Sequence, residues 1–265
     1  MKNPDLNIQM IDFDEFAKKL QTKGESKETC LKLLQTSIDE LPNFAIGPYF
    51  WFIPDNTDIS IIDSSDNIHE ITSYKKDEWK KHYPNFFAKI MPAEDHNYFM
   101  GCTTMMLDFL EKTPIKERKN YKFSIYCRIE DKNRKLRWTL IQFPKIIFNE
   151  EGRGVSGIVM VTDLGIFEVI NKPRMTIMNI SNVKHPYFLA ILHQNKIENL
   201  TIPNITRRER EILTCIINGL KTPEIAEKLF ISYHTVENHK RNLRVKTGTK
   251  TAAELVNFVL QNQLM

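Results

Sequence analysis

Apolar and polar positions fall into three textures along the 265 residues. In the first 43, apolar residues recur three and four apart. IDFDEFAKKLQ carries them at Ile11, Phe13, Phe16, Ala17 and Leu20. KETCLKLLQTSIDEL carries them at Cys30, Leu31, Leu34, Ile38 and Leu41, just before Pro42. This spacing predicts two amphipathic helices, the second stopped by the proline. Their apolar faces either pack on the domain that follows or pair between subunits. From Phe44 the runs shorten and become aromatic or β-branched: PYFWFIP, a turn at Asp55-Asn56, then DISIIDSS. NIHEITSY, KKDEWKKHYPNFFAKI and AEDHNYFMGCTTMMLDFLEK return to helical spacing, broken at Pro84 and Pro92. Three long strand-like runs follow, YKFSIYCRIED, RKLRWTLIQFPKIIFN and VSGIVMVTDL, parted by turns at Lys132-Asn133 and at Glu150 to Gly154. Loops this short join antiparallel neighbours. Two strands, then helices, then three strands predict an α+β domain with helices on one face of the sheet. PRMTIMNIS and PYFLAIL predict a β-hairpin beyond it, and KIENLTIPN has the composition of a linker, with the domain border near Leu200 to Ile205.

The last 60 residues have a third texture, in which four helical patterns each carry their own start or stop signal. Thr206 and Glu209 are spaced as a capping box ahead of Ile212, Leu213, Ile216 and Ile217, and Gly219 supplies the stop. Thr222-Pro223, a capping hydroxyl followed by a proline at the first helical position, opens a short helix with Ile225, Ala226 and Leu229 on one face. Phe230-Ile231 then turn into Ser232, a suitable N-cap for the run that ends at Gly248. Thr251 and Glu254 form a second capping box before Leu255, Val256, Val259 and Leu260. Two helices joined by so brief a turn make a helix-turn-helix. In the run after Ser232, Val236, His239 and Leu243 form a narrow inward stripe, and His234, Glu237, Asn238, Arg241 and Val245 lie opposite. Asn pairs with adenine, Arg with guanine and Glu with the amino group of cytosine, so that outer stripe has base-reading chemistry.

Residues 205–256 resemble the LuxR-type (GerE-type) helix-turn-helix of bacterial transcription regulators. The resemblance rests on Thr206, Arg208, Glu209, Glu211, Leu213, Gly219, Ile225, Ala226, Leu229, Ile231, Ser232, Thr235, Val236, His239, Asn242, Leu243, Lys246, Gly248 and the closing Glu254-Leu255-Val256. Lys221, Pro223 and Thr247 depart from the family's usual residues, and Glu237 stands where many relatives carry a basic residue. The resemblance implies binding of double-stranded DNA, a homodimer and action on the transcription machinery. Within it, Glu237, Asn238 and Arg241 are expected at base edges. Thr235, Lys240, Lys246 and the helix start at Lys221-Thr222 are expected at phosphates. The fourth helix either supplies a dimer contact or packs on its own domain.

Residues 44–170 resemble a PAS domain, through MPAEDHNYF before the long helix, RIEDKNRKLRW across the hairpin and a last strand ending in Asp163. That resemblance implies a sensory or dimerising module, with a small-molecule ligand among its partners. No cofactor is expected: there is no Asn-Cys-Arg segment of the flavin-binding subclass. His96, near the start of the long helix, is the least implausible candidate for a haem ligand, and a lone histidine is far more often a surface or satisfied residue. Trp51, Phe52, Trp79, Phe86, Phe87, Met105, Met106 and Trp138 are either plain core or the lining of an apolar pocket. The expected architecture is therefore α+β. Helices over 1–43 and a PAS-like antiparallel sheet with helices on one face over 44–170 come first. A hairpin extension and linker fill 171–203, and an all-α four-helix LuxR-type helix-turn-helix domain occupies 204–265.

Charge sharpens this picture. Residues 204–265 hold ten Lys and Arg against six Glu, an excess of four that equals the +4 of the whole chain and leaves 1–203 balanced. A polyanion would be drawn to the C-terminal quarter, with an affinity that falls as salt rises. The four cysteines show no metal or redox spacing and read as free thiols. The charged N-terminus lacks an apolar signal core, and no run of 18 apolar residues occurs, so a cytoplasmic protein without membrane contact is expected. No phosphate-binding glycine loop, nucleophile elbow or paired-histidine metal motif is present, so an enzyme is not expected. Glu237 supports one rival reading, a sensory or protein-interaction module whose helix-turn-helix no longer reads DNA.

Overall fold

The aromatic run at Tyr49 forms the first strand of an antiparallel sheet, and the turns around that sheet show why its strands pair as they do. In the computed structural model, described for residues 8–82, 86–165, 172–181, 187–193, 196–200 and 205–261, the chain divides into two compact units, Met1–Thr201 and Ile202–Met265. In the first, β1 (Tyr49–Asp55) and β2 (Ser60–Ser64) are followed by α3 (Ile68–Ile71), α4 (Lys76–His82), α5 (Phe86–Ile90), α6 (Ala93–Lys112) and α7 (Ile115–Arg118). Then come β3 (Tyr121–Glu130), β4 (Leu136–Phe148) and β5 (Gly154–Asp163). The Asp131 carboxylate accepts the amides of Asn133 and Lys135 and closes the β3–β4 turn. Asn149 accepts the Arg153 amide at 2.9 Å in the next turn, where Gly152 takes a positive φ of 81°. The strand order β2-β1-β5-β4-β3, with helices between β2 and β3, is a PAS-like arrangement.

The same sheet continues through β6 (Arg174–Asn179), β7 (Tyr187–His193) and β8 (Lys196–Leu200) to eight strands. β6 and β7 pair as a hairpin. Residues 196–200, read above as linker, instead pair with β7 as the sheet's last strand. An edge strand buries little, so its polar composition conceals it in the sequence.

Each face of the sheet has its own core. Phe50, Phe52, Ile125, Cys127, Ile141, Val159 and Val161 meet Trp79, Phe86, Phe99 and Met106 from the helices after β2. α1 (Phe13–Leu20), capped by Asp12, adds Phe16 and Leu20 to that core. On the other face, Ile53, Ile158 and Met160 receive Cys30 and Leu34 from α2 (Lys27–Glu40). Both N-terminal helices thus pack on their own unit, on opposite faces of one sheet. The buried Asp95 ties α6 to β3 by accepting the Arg128 amide at 2.7 Å and pairing with its guanidinium at 2.5 Å. Trp51 packs with the α2 core, and Trp138 lies under the Arg128 guanidinium, so neither belongs to the inner core. All four cysteines are free and buried.

The second unit holds α8 (Arg207–Ile217), α9 (Thr222–Lys228), α10 (Tyr233–Thr247) and α11 (Ala252–Gln261) around Ile212, Leu213, Ile225, Val236, Leu243, Leu255 and Val259. Leu255 and Val259 are therefore packed on their own domain. The Thr206–Glu209 capping box is formed, and Gly248 ends α10 at a φ of 66°. Among the described residues no helix is long and apolar enough to cross a membrane.

Candidate nucleic-acid interface

α10 is built to present one face while its other face is held. The Ser232 oxygen accepts the Thr235 amide at 3.1 Å and starts the helix. Val236 and Leu243 are fully buried against α8 and α9, with His239 half-buried beside them. That seating turns His234, Asn238, Arg241 and Val245 outward, and all four are exposed. Neither Asn238 nor Arg241 makes a side-chain hydrogen bond or ion pair among the described residues, so the hydrogen-bonding capacity of both is free. Lys221, at the start of α9, is also exposed, and its amide donates to Glu224 at 2.6 Å.

Other residues expected at DNA already have partners. The hydroxyl of Thr222 donates to the Glu237 carboxylate at 2.6 Å. Lys240 reaches both, at 2.8 Å to Thr222 and 3.0 Å to Glu237. These three side chains close a ring that pins the start of α9 to the second turn of α10. Thr222 is only 7% exposed and is the first residue of its helix, with Lys221 as the N-cap and Pro223 second. The reading of Thr222 as a capping hydroxyl is corrected: its oxygen lies in the ring. The pKa of Glu237 is lowered, first by the Thr222 hydroxyl and then by Lys240, so it stays an anion. Lys246 pairs with the nearly buried Glu209 at 2.6 Å. Thr235 is half-buried, with its hydroxyl 2.8 Å from that of Ser232. Nothing in residue spacing exposes the ring, since 222 and 237 meet only across the helix-turn-helix.

The turn expected at Phe230-Ile231 joins α9 to α10. Phe230 stands 94% exposed at a positive φ of 54°, an uncommon conformation for a bulky residue.

The family described as bacterial regulatory proteins of the luxR family matches residues 203–259. Residues 203–259 are a LuxR-type helix-turn-helix domain. The oxygen regulatory protein NreC of Staphylococcus aureus, in strains JH9 and USA300, is 46% identical over 61 residues. Those 61 residues are 23% of this chain and 28% of the length of those relatives. Two solved structures cover more of the chain. A Vibrio cholerae VqmA dimer in the absence of target DNA is 15% identical, covers 84% of this chain and 87% of its own, and has a TM-score of 0.35. A phage VqmA–DPO complex is 16% identical, with coverage of 86% and 88% and a TM-score of 0.30. Likeness at this level says nothing about ligands or assembly in this chain.

Proposed function

We propose that this chain is a transcription regulator that binds double-stranded DNA through its LuxR-type domain. The observation that carries the proposal is the pair Asn238 and Arg241, both on the exposed face of α10 and without side-chain partners among the described residues. Such groups suit bidentate contacts to adenine and guanine in the major groove. Lys221 and Lys240 flank them as phosphate contacts, with Thr235 near the helix start. Lys246 contributes charge while anchored on Glu209. Glu237 holds Lys240 in place. The protein acts in the cytoplasm as a homodimer, which matches two half-sites with one surface, and so acts on the transcription machinery. The N-terminal unit is a sensory module that modulates this binding by taking a small molecule.

The experiment is selection of fragments from the source genome on the full chain, followed by electrophoretic shifts across a salt series. A common motif and an affinity that falls steeply with salt are expected. If nothing binds even at low salt, the domain is a protein-interaction module.

A further inference from the structure

A cavity of about 60 Å³ lies between the sheet and α6 in the N-terminal unit. That is room for roughly four waters by centre, hence for one six-membered ring with a small substituent. Its wall is mostly apolar, with Phe52, Phe87, Phe99, Met100, Met106 and Phe143 among the residues that line it. Among the described residues no Asp, Glu, Lys or Arg lines it. Four polar side chains do. Asn56 donates to the Gly154 carbonyl at 2.8 Å, Thr103 to Phe99 at 2.9 Å and Ser156 to Pro54 at 2.7 Å. The fourth, His96, is 7% exposed and makes no side-chain hydrogen bond among the described residues. Its ring nitrogens are not among the sealed unpaired atoms of this unit, which belong to Ser64, Trp79, Thr104, Thr162 and Arg174, so a group that enters the cavity can bond them. Burial also lowers the His96 pKa below its ordinary 6.5, so the ring is neutral at pH 7 and can donate at one nitrogen and accept at the other.

The cavity's outer wall is α1, through Phe13, Phe16 and Leu20. The chain leading into α1 lies directly on α6. A Cβ at Gly101 would sit 2.1 Å from the Gln9 carbonyl oxygen, a distance no real side chain tolerates. Past α1, the Thr22 amide donates to Asn56 at 3.0 Å and Arg153 to the Lys19 carbonyl at 2.9 Å. Both ends of α1 are fastened.

We propose that this cavity binds an uncharged, single-ring molecule with one hydrogen-bonding group directed at His96, and that α1 is the strap that closes over it. The proposal rests on the reading of the N-terminal unit as a sensory module, but it concerns binding to the free protein and is tested without DNA. An apolar wall supplies most of the affinity through area removed from water. His96 sets orientation and selects among rings of equal size. A carboxylate is rejected, because no countercharge waits for it.

Three probes of matched shape test this by calorimetry on the full chain: p-cresol, toluene and p-toluate. Saturable binding of p-cresol is expected, about tenfold tighter than toluene, with p-toluate at least a hundredfold weaker than p-cresol. In His96→Leu the difference between p-cresol and toluene should vanish while toluene still binds, which also shows that the variant is folded. In Gly101→Ala the displaced strap should let p-cresol enter and leave faster, as read by stopped-flow change in tryptophan fluorescence. Failure of all three probes to bind, preference for p-toluate, or equal affinity of p-cresol and toluene in the wild-type chain would each overturn the ligand class. Unchanged rates in Gly101→Ala would overturn the strap.

Discussion

The two units keep their unpartnered polar groups in opposite places. In the N-terminal unit unpaired atoms of Ser64, Trp79, Thr104, Thr162 and Arg174 are sealed in the core, and among the described polar residues that line the cavity His96 is the one whose side chain makes no hydrogen bond. In the C-terminal unit the free groups are Asn238 and Arg241, standing out from α10. Around each, similar neighbours are engaged: Asn56, Thr103 and Ser156 bond main-chain carbonyls, while Thr222, Glu237 and Lys240 bond one another. The contrast shows that residue type alone does not mark a binding group. What marks it is the lack of a protein partner at a place a ligand can reach, which separates His96, Asn238 and Arg241 from the sealed unpaired atoms of Ser64, Trp79, Thr104, Thr162 and Arg174. An apolar cavity calls for a small uncharged occupant, and an exposed basic face for a polyanion.

The largest way to break the comparison is to loosen the core behind the cavity, where Trp79 packs on the lining residues Phe52 and Phe87. Trp79 is fully buried and packs its ring 3.8 Å from Phe86 and 5.3 Å from Phe50 and Phe52. Trp79→Ala should cost about 3–5 kcal/mol of N-terminal-unit stability, the usual loss for a large aromatic in a core. Chemical unfolding followed by circular dichroism measures it. A loss under about 1 kcal/mol would mean that the aromatic core is loosely packed and the cavity wall is not rigid.

The second change acts on the open side. Arg241→Ala should weaken binding to the selected DNA by up to about 3 kcal/mol, relax preference at one base position and leave thermal unfolding unchanged. Were the variant to retard its target as well as the wild-type chain does, the outer face of α10 would not be the reading face.

How much of this was legible in the sequence follows from how local each signal is. The helices of the C-terminal unit could be read because their caps lie within three or four residues of what they cap: Thr206 with Glu209, Ser232 with Thr235, Thr251 with Glu254. The outward stripe was visible from periodicity, and the five-strand sheet from its turns. β8 was not, because an edge strand needs no apolar pattern. The engagement of Thr222, Glu237 and Lys240 was not, because it joins residues 15 and 18 apart across two helices. His96 was visible only as a lone histidine. Its isolation depends on which neighbours had already turned their donors to the backbone, which only three dimensions decide.

A smaller effect concerns the seat of α10. Burial pushes the Glu209 pKa up, but Lys246 and the amide and hydroxyl of Thr206 outweigh it and hold the pKa below the ordinary 4.5. A carboxylate depressed on folding stabilises above its unfolded pKa, and that share disappears as pH falls through the folded value. The C-terminal unit should therefore lose stability progressively below about pH 4.5. Glu209→Gln should cost about 2 kcal/mol at pH 7 and show a flatter acid limb. An identical acid limb in wild type and variant would show that Glu209 does not couple the start of α8 to α10.

The smallest expected effect separates engaged from free most finely. Glu237 has the chemistry to accept from cytosine, yet Thr222 and Lys240 already occupy its carboxylate at 2.6 and 3.0 Å. To read a base it would have to leave both, exposing a buried hydroxyl and releasing the ammonium it positions. Glu237→Gln keeps the shape and the bond from Thr222 while removing one negative charge near the phosphates. If Glu237 is a holder, affinity for target and unrelated DNA should rise together, about two- to threefold, with a salt dependence slightly steeper than wild type. The base preference, measured by competitive selection, should not move. A shift confined to one base position would instead place Glu237 among the readers, and the rule that engaged groups hold while free groups bind would fail at this helix.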